Sequence, residues 1–117
     1  MDAMNKIDYI EFQAADLEST KAFFERLLGW KFEDYGPDYT SFADGRVAGG
    51  FQRADKCGTV AGGGVLVVLY HPRLEEVRQR VIELGGKIVR DIFSFPGGRR
   101  FHFTEPSGNE LAVWSDK

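Results

Sequence analysis

The chain has a single cysteine, Cys57, so no intrachain disulfide can staple it, and a reducing, cytoplasmic setting is expected. It has no long apolar run either. The longest, Val65 to Tyr70, is far short of the roughly 20 residues that a bilayer-spanning helix needs, so no membrane partner is expected. Positive charge is not in excess: 15 Lys and Arg stand against 18 Asp and Glu, for a net charge of −3. No basic stripe is left to neutralise phosphates, which argues against nucleic acid. The opening residues, Met1-Asp2-Ala3-Met4-Asn5-Lys6, lack the basic-then-apolar pattern of a secretory leader. What the sequence does have is 117 residues with 43% hydrophobic content, enough for one domain with a genuine core. These limits leave a protein that acts on a small molecule, binds one, or binds another protein.

The spacing of apolar residues predicts the elements. Lys6 to Gln13 alternates and is rich in β-formers, which reads as a strand. Asp16 stands where a helix N-cap belongs, ahead of Leu17, Phe23, Phe24, Leu27 and Leu28 at helical spacing, and Gly29 closes that helix. Trp30 to Tyr35, Tyr39 to Ala43 and Arg46 to Arg53 follow as strands, joined by Gly36-Pro37-Asp38 and Asp44-Gly45. The small, polar stretch 54–63 reads as a linker. After it the pattern repeats, with a strand over Gly64 to Tyr70 and a helix marked by Leu74, Val77, Val81 and Leu84 and ended by Gly85. Three more strands are predicted at Lys87 to Phe93, Arg99 to Thr104 and Glu110 to Trp114. Leu28-Gly29-Trp30-Lys31-Phe32 aligns with Leu84-Gly85-Gly86-Lys87-Ile88, and Asp44-Gly45 with Ser107-Gly108. The chain therefore reads as α+β, two βαβββ modules (6–53 and 64–115) within one domain.

Two stretches carry a resemblance that extends over nearly the whole chain. Asp16-Leu17-Glu18, Ala22-Phe23-Phe24 and Leu27-Leu28-Gly29-Trp30 look like the first-module helix of the vicinal oxygen chelate superfamily. This superfamily holds the glyoxalases, bleomycin-resistance proteins and extradiol dioxygenases. Arg100 to Asn109 is similar to its final hairpin, with Glu105 in place of the usual Asp. The resemblance implies two modules curled around a cup, and commonly a homodimer. In many members the cup holds a divalent ion on His and Glu side chains. Mapped onto this chain, those positions fall on Tyr9, on Leu66 (or Val65 one residue away), on Ala112 and near Gly49. Three of the four offer no side-chain ligand, so no metal and no cofactor are expected there.

Strand alternation sorts the remaining side chains. Ile10 and Phe12 are expected against the helix, and Phe101, Phe103, Leu111 and Val113 in the core. The cup is then lined by Tyr9, Glu11, Arg100, His102, Glu110, Ala112 and Trp114, with Leu66 at the second module's inherited position and Tyr39 matching His102 by the repeat. Aromatic walls with a few convergent polar groups suit a small-molecule ligand. The plainer alternatives are that Glu11 and Glu110 are solvated or pair with Arg100, that His102 is a hydrogen-bonded packing residue, and that Tyr9 and Trp114 merely fill the cup. His71, before Pro72, reads as a turn residue, and Cys57 has no neighbour that would activate it. Segment 93–99 is expected to be a glycine-rich loop at the mouth of the cup, either a lid or a plain hairpin. Its Gly97-Gly98-Arg99-Arg100 run is a weak anion-binding candidate.

Three functions follow. The first is a metal-independent binding protein for a small, partly aromatic molecule. The second is an isomerase or lyase in which His102 works with Glu11 or Glu110, either without metal or with a displaced divalent ion on those three residues. The third is a protein-interaction module whose cup is filled.

Overall fold

The computed structural model describes residues 4–117. The first module runs β1 (Tyr9–Ala14), α1 (Leu17–Leu28), β2 (Lys31–Asp34), β3 (Tyr39–Ala43) and β4 (Ala48–Arg53). The second runs β5 (Val67–Tyr70), α2 (Leu74–Glu83), β6 (Lys87–Phe95), β7 (Gly98–Thr104) and β8 (Glu110–Ser115). Each module folds into its own four-stranded mixed sheet, in the orders β1-β4-β3-β2 and β5-β8-β7-β6. In each, the first strand runs parallel to the last and the other pairs are antiparallel. The predicted α+β repeat is thus present, but the two sheets do not close into one. β1 and β5 are edge strands of separate sheets.

Local chemistry explains the boundaries. Asp16 caps α1 by accepting the Ser19 N–H at 3.0 Å, and Gly29 ends it with φ of 74°, a left-handed conformation that suits glycine. β4 starts two residues later than the sequence suggests, because Asp44 Oδ1 accepts both the Arg46 and Val47 N–H groups and holds them in a turn. β6 and β7 extend through most of the stretch expected to be a loop. Residues 93–99 form a tight hairpin around Pro96-Gly97, with Phe95 paired to Gly98.

One core runs through both modules. Trp30 is sandwiched between Phe24 (centroids 4.6 Å) and Phe42 (4.4 Å), and Phe51 is fully buried beside them. Phe23 of α1 reaches Phe103 of β7 at 5.9 Å, tying the modules together. Burying a side chain of this size contributes on the order of 1.5–3 kcal/mol, so the aromatic cluster is the main source of stability. A polar clamp adds direction. Glu105, 2% exposed, accepts from Thr20 Oγ1 of α1 at 2.6 Å, from Ser107 N at 2.8 Å, and from Asn109 through both N and Nδ2. Asn109 Nδ2 also donates to the Gln13 carbonyl of β1 at 2.8 Å.

Candidate functional site

The faces turned away from the helices carry the candidate residues. On the first module, Tyr9 and Glu11 of β1 and Tyr39 of β3 converge over Gly50 of β4. Tyr39 donates its hydroxyl hydrogen to Glu11 Oε1 at 2.9 Å, which leaves Tyr9 as the donor in the Tyr9–Tyr39 hydroxyl bond. Burial, followed by hydrogen bonds to Tyr9 and Glu11, raises the Tyr39 phenol above its ordinary pKa. Gly50 is needed as the floor, because a Cβ there would stand 2.1 Å from the Tyr39 oxygen. Gly49, by contrast, faces the core, where its Cβ would strike the Phe42 ring. The position of β4 that looks onto the concave face is therefore Gly50, not Gly49.

The second module buries a different pair. His102 of β7 and Glu110 of β8 are 5% and 8% exposed, with Nδ1 and Oε2 2.9 Å apart. The other carboxylate oxygen, Oε1, accepts the N–H of Val60 at 2.9 Å. Burial pushes the Glu110 pKa up, yet the bonds from His102 and Val60 outweigh it and hold the carboxyl below its ordinary value. An ionised carboxylate only accepts, so Nδ1 is the donor in this bond, and in the neutral form of the imidazole Nε2 then presents a lone pair. That Nε2 is buried without a partner among the described residues, and so is Nε of Arg100. The Arg100 guanidinium lies 5.3 Å from the Phe93 centroid and 5.8 Å from that of Phe95, and Trp114 stands between Phe95 and Tyr70. Ala112 is fully buried between these groups, and Leu66 is half-buried just before β5.

The candidates thus form two clusters, and among the described residues no hydrogen bond joins them. Glu11 pairs with Tyr39 and Glu110 with His102, so neither serves Arg100. Glu11 also does not complete a ligand set with His102 and Glu110: among the described residues no group of three or more His, Cys, Asp and Glu side chains is placed to hold a metal ion. The open space is divided as well. A cleft of about 740 Å³ between β1 and β5 is walled by Ile10, Phe12, Trp30, Val67 and Leu69 and takes in Trp114. A depression of about 450 Å³ holds Tyr9 and Tyr39, and one of about 520 Å³ holds Glu11 beside residues 56–59 and 62–65. His71 caps a turn, its Nδ1 accepting the Arg73 N–H.

The packing of the connecting segment and the place of Arg90 escaped the sequence reading, which puts Phe93 only within the segment at the mouth of the cup. The connecting segment packs against β8, with Gly58 N donating to Asn109 Oδ1, Glu110 N donating to the Gly58 carbonyl and Val60 N donating to Glu110. Its small polar residues gave no sign of this. Arg90 and Phe93 of β6 stand opposite His102 and Arg100 in register, with the Arg90 guanidinium 3.7 Å over the Phe93 ring. β6 departs from simple alternation, its register with β7 shifting twice between Ile88 and Phe93.

The fold agrees with the comparisons to known proteins. The chain belongs to the Glyoxalase/Bleomycin resistance protein/Dioxygenase superfamily, whose family pattern it matches over residues 6–113. Among solved structures it is similar to an E126Q mutant of the fosfomycin resistance protein FosX from Listeria monocytogenes, complexed with Mn(II) and 1S,2S-dihydroxypropylphosphonic acid. The TM-score is 0.80 and the identity 15%, covering 96% of this chain and 90% of that one. A glyoxalase/bleomycin resistance protein/dioxygenase family enzyme from Burkholderia phytofirmans PsJN gives a TM-score of 0.79 at 12% identity, covering 94% and 98%. A lactoylglutathione lyase from Agrobacterium tumefaciens gives 0.72 at 16%, covering 97% and 96%. At these identities the likeness is one of fold. No curated protein matches the chain in sequence. None of the described helices is long and apolar enough to cross a membrane.

Proposed function

We propose that the protein binds a small amphipathic, aromatic molecule on the concave face of its second module, without a divalent metal. The observation that carries this reading is the buried His102–Glu110 pair, whose outer nitrogen has no partner beside the aromatic side chains of β6 and β8. A buried polar atom without a partner costs about 1–3 kcal/mol, and a ligand that meets it recovers that cost. Metal chemistry at the inherited positions is not supported by their residues. Leu66, Ala112 and Gly50 bring no donor atom, and the Tyr9 hydroxyl is already bonded to Tyr39. The partner and setting we propose are a second copy of the chain, in the cytoplasm. Exposed apolar residues on and beside the unpaired edges, Ile7, Val65, Val68 and Tyr70, favour a second copy.

The test is a set of thermal melts with flat aromatic compounds in the presence of a chelator. Saturable stabilisation that the chelator leaves unchanged supports the reading. Stabilisation by Mn²⁺, Ni²⁺ or Zn²⁺ alone contradicts it. A second reading, a metal-independent isomerase or lyase, is favoured by the same unpartnered Nε2, which is oriented by Glu110 as a general base would be. It predicts exchange of an acidic C–H of the bound compound in D2O, abolished by His102→Phe. If no compound binds in any condition, the interaction-module reading takes its place.

A further inference from the structure

The concave face of the second module holds more cationic donors than its surroundings satisfy. Acids are not scarce in a chain with 18 of them, and Arg53, Arg73, Arg78 and Arg99 each meet a carboxylate. Arg90 and Arg100 meet none among the described residues, although both guanidiniums lie against Phe93. Nε of Arg100 is moreover buried and unpartnered, two residues along the same strand face from His102, itself 95% buried by its 5% exposure, with a free Nε2. Glu110, on the neighbouring strand, is held by His102 through one oxygen and by Val60 through the other. Two guanidiniums without a carboxylate, one of them with its Nε buried beside aromatic rings, attract an anion, and a planar carboxylate matches the edge of a guanidinium through charge-assisted hydrogen bonds. The lone pair on His102 Nε2 asks for the opposite, a donor on the same ligand.

We infer that this face takes an aromatic carboxylate that also carries a hydroxyl or N–H donor. Its carboxylate sits on Arg100 Nε–H with Arg90 closing over it, its donor meets His102 Nε2, and its ring lies against Phe93 and Trp114. The inference rests on the small-molecule reading above and names the ligand class for that site. Entry requires Arg90 and Phe93 to swing aside. Arg90 is exposed and Phe93 partly so, and both lie on β6, the edge strand whose ladder is interrupted beside them, so they can move without breaking a regular run of pairs.

The experiment is calorimetric titration of the full chain, in chelator, with the 2-, 3- and 4-hydroxybenzoates, their methyl esters, and benzoate. At least one hydroxybenzoate is expected to bind about tenfold or more tighter than its neutral ester, which is about 1.4 kcal/mol of charge recognition, and tighter than benzoate. Arg100→Lys, which keeps the charge but removes Nε–H, is expected to lose most of that preference, whereas Arg26→Lys keeps it. Should Arg100→Lys fail to fold, the acid-to-ester ratio on the unaltered chain decides alone. Acid and ester binding equally would overturn this inference while leaving the small-molecule reading intact. Benzoate matching every hydroxybenzoate would overturn the role given to His102. No binding by any of these compounds would overturn the inference, while the thermal melts with other flat aromatic compounds decide the small-molecule reading separately.

Discussion

Replacing Glu105 by alanine tests whether one buried carboxylate clamps the two modules. Its oxygens receive four hydrogen bonds, at 2.6 Å from Thr20 Oγ1, 2.8 Å from Ser107 N, 2.7 Å from Asn109 Nδ2 and 3.2 Å from Asn109 N. Hydrogen bonds to a carboxylate are worth about 1.5–3 kcal/mol each when broken singly, but they are not additive. A loss of about 3–5 kcal/mol is the reasonable total, out of roughly 0.05–0.15 kcal/mol per residue of overall stability. At about 4 °C per kcal/mol for this size, the midpoint of a thermal melt should fall by about 12–20 °C. Glu105→Gln should fall between the two, since one of its two ends must turn an amide NH₂ toward a pair of donors. Glu105→Asp should lose chiefly the reach to Thr20, about 1–2 kcal/mol. The assay is urea unfolding followed by circular dichroism, with the exposed Glu25→Gln as control. A loss below about 1 kcal/mol for Glu105→Ala, within the range of ordinary surface changes, would refute the clamp.

Three further predictions follow from the same geometry. Gly50→Ala should push the Tyr9 and Tyr39 phenols off β4, cost about 1–3 kcal/mol, and bring the Tyr39 titration, followed by ultraviolet absorbance, down toward the ordinary value of about 10. Glu110, whose pKa is lowered in the folded chain, contributes stability that is present above its ordinary value of 4.5 and is lost as pH falls through its folded pKa. Stability measured by urea unfolding should therefore drop more steeply on acidification in the unaltered chain than in Glu110→Gln, and parallel curves would contradict this. Asp16→Ala should cost about 1 kcal/mol through loss of the α1 cap, read from the same unfolding curves, and Asp16→Asn should recover most of it.

How much of this was legible in the sequence depended on whether a feature is local. The N-cap at Asp16, the stop at Gly29 and the alternation of β1, β7 and β8 are written in single short stretches, and alternation separates Tyr9, Glu11, Arg100, His102, Glu110 and Trp114 from the core-facing side chains of the same strands. The repeat added Tyr39 to the lining as the match of His102, and the structure puts it beside Tyr9 and Glu11. What was hidden is long-range or irregular. The phase of β4 depends on the Asp44 turn, so Gly49 and Gly50 could not be told apart. The bulged register of β6 concealed Arg90 and the pairing of Phe93 with Arg100. The connecting segment reveals its contact with Glu110 only through backbone groups, which every residue has. Alternation also says which face a side chain takes and not how far apart two faces lie, so the separation of the tyrosine cluster from the His102–Glu110 pair was not readable from it.

The central claim is that the second module's concave face is a small-molecule site centred on His102 Nε2. The chain has two histidines, His71 and His102. Long-range ¹H–¹⁵N correlation spectra of the imidazole rings, recorded in chelator with and without the hydroxybenzoates, read that nitrogen directly. The account predicts that free His102 carries its hydrogen on Nδ1 with a bare Nε2, and that a bound hydroxybenzoate moves the Nε2 signal while His71 stays still. A His102 spectrum unchanged by every compound, or one that already shows Nε2 protonated and Nδ1 bare, would contradict it.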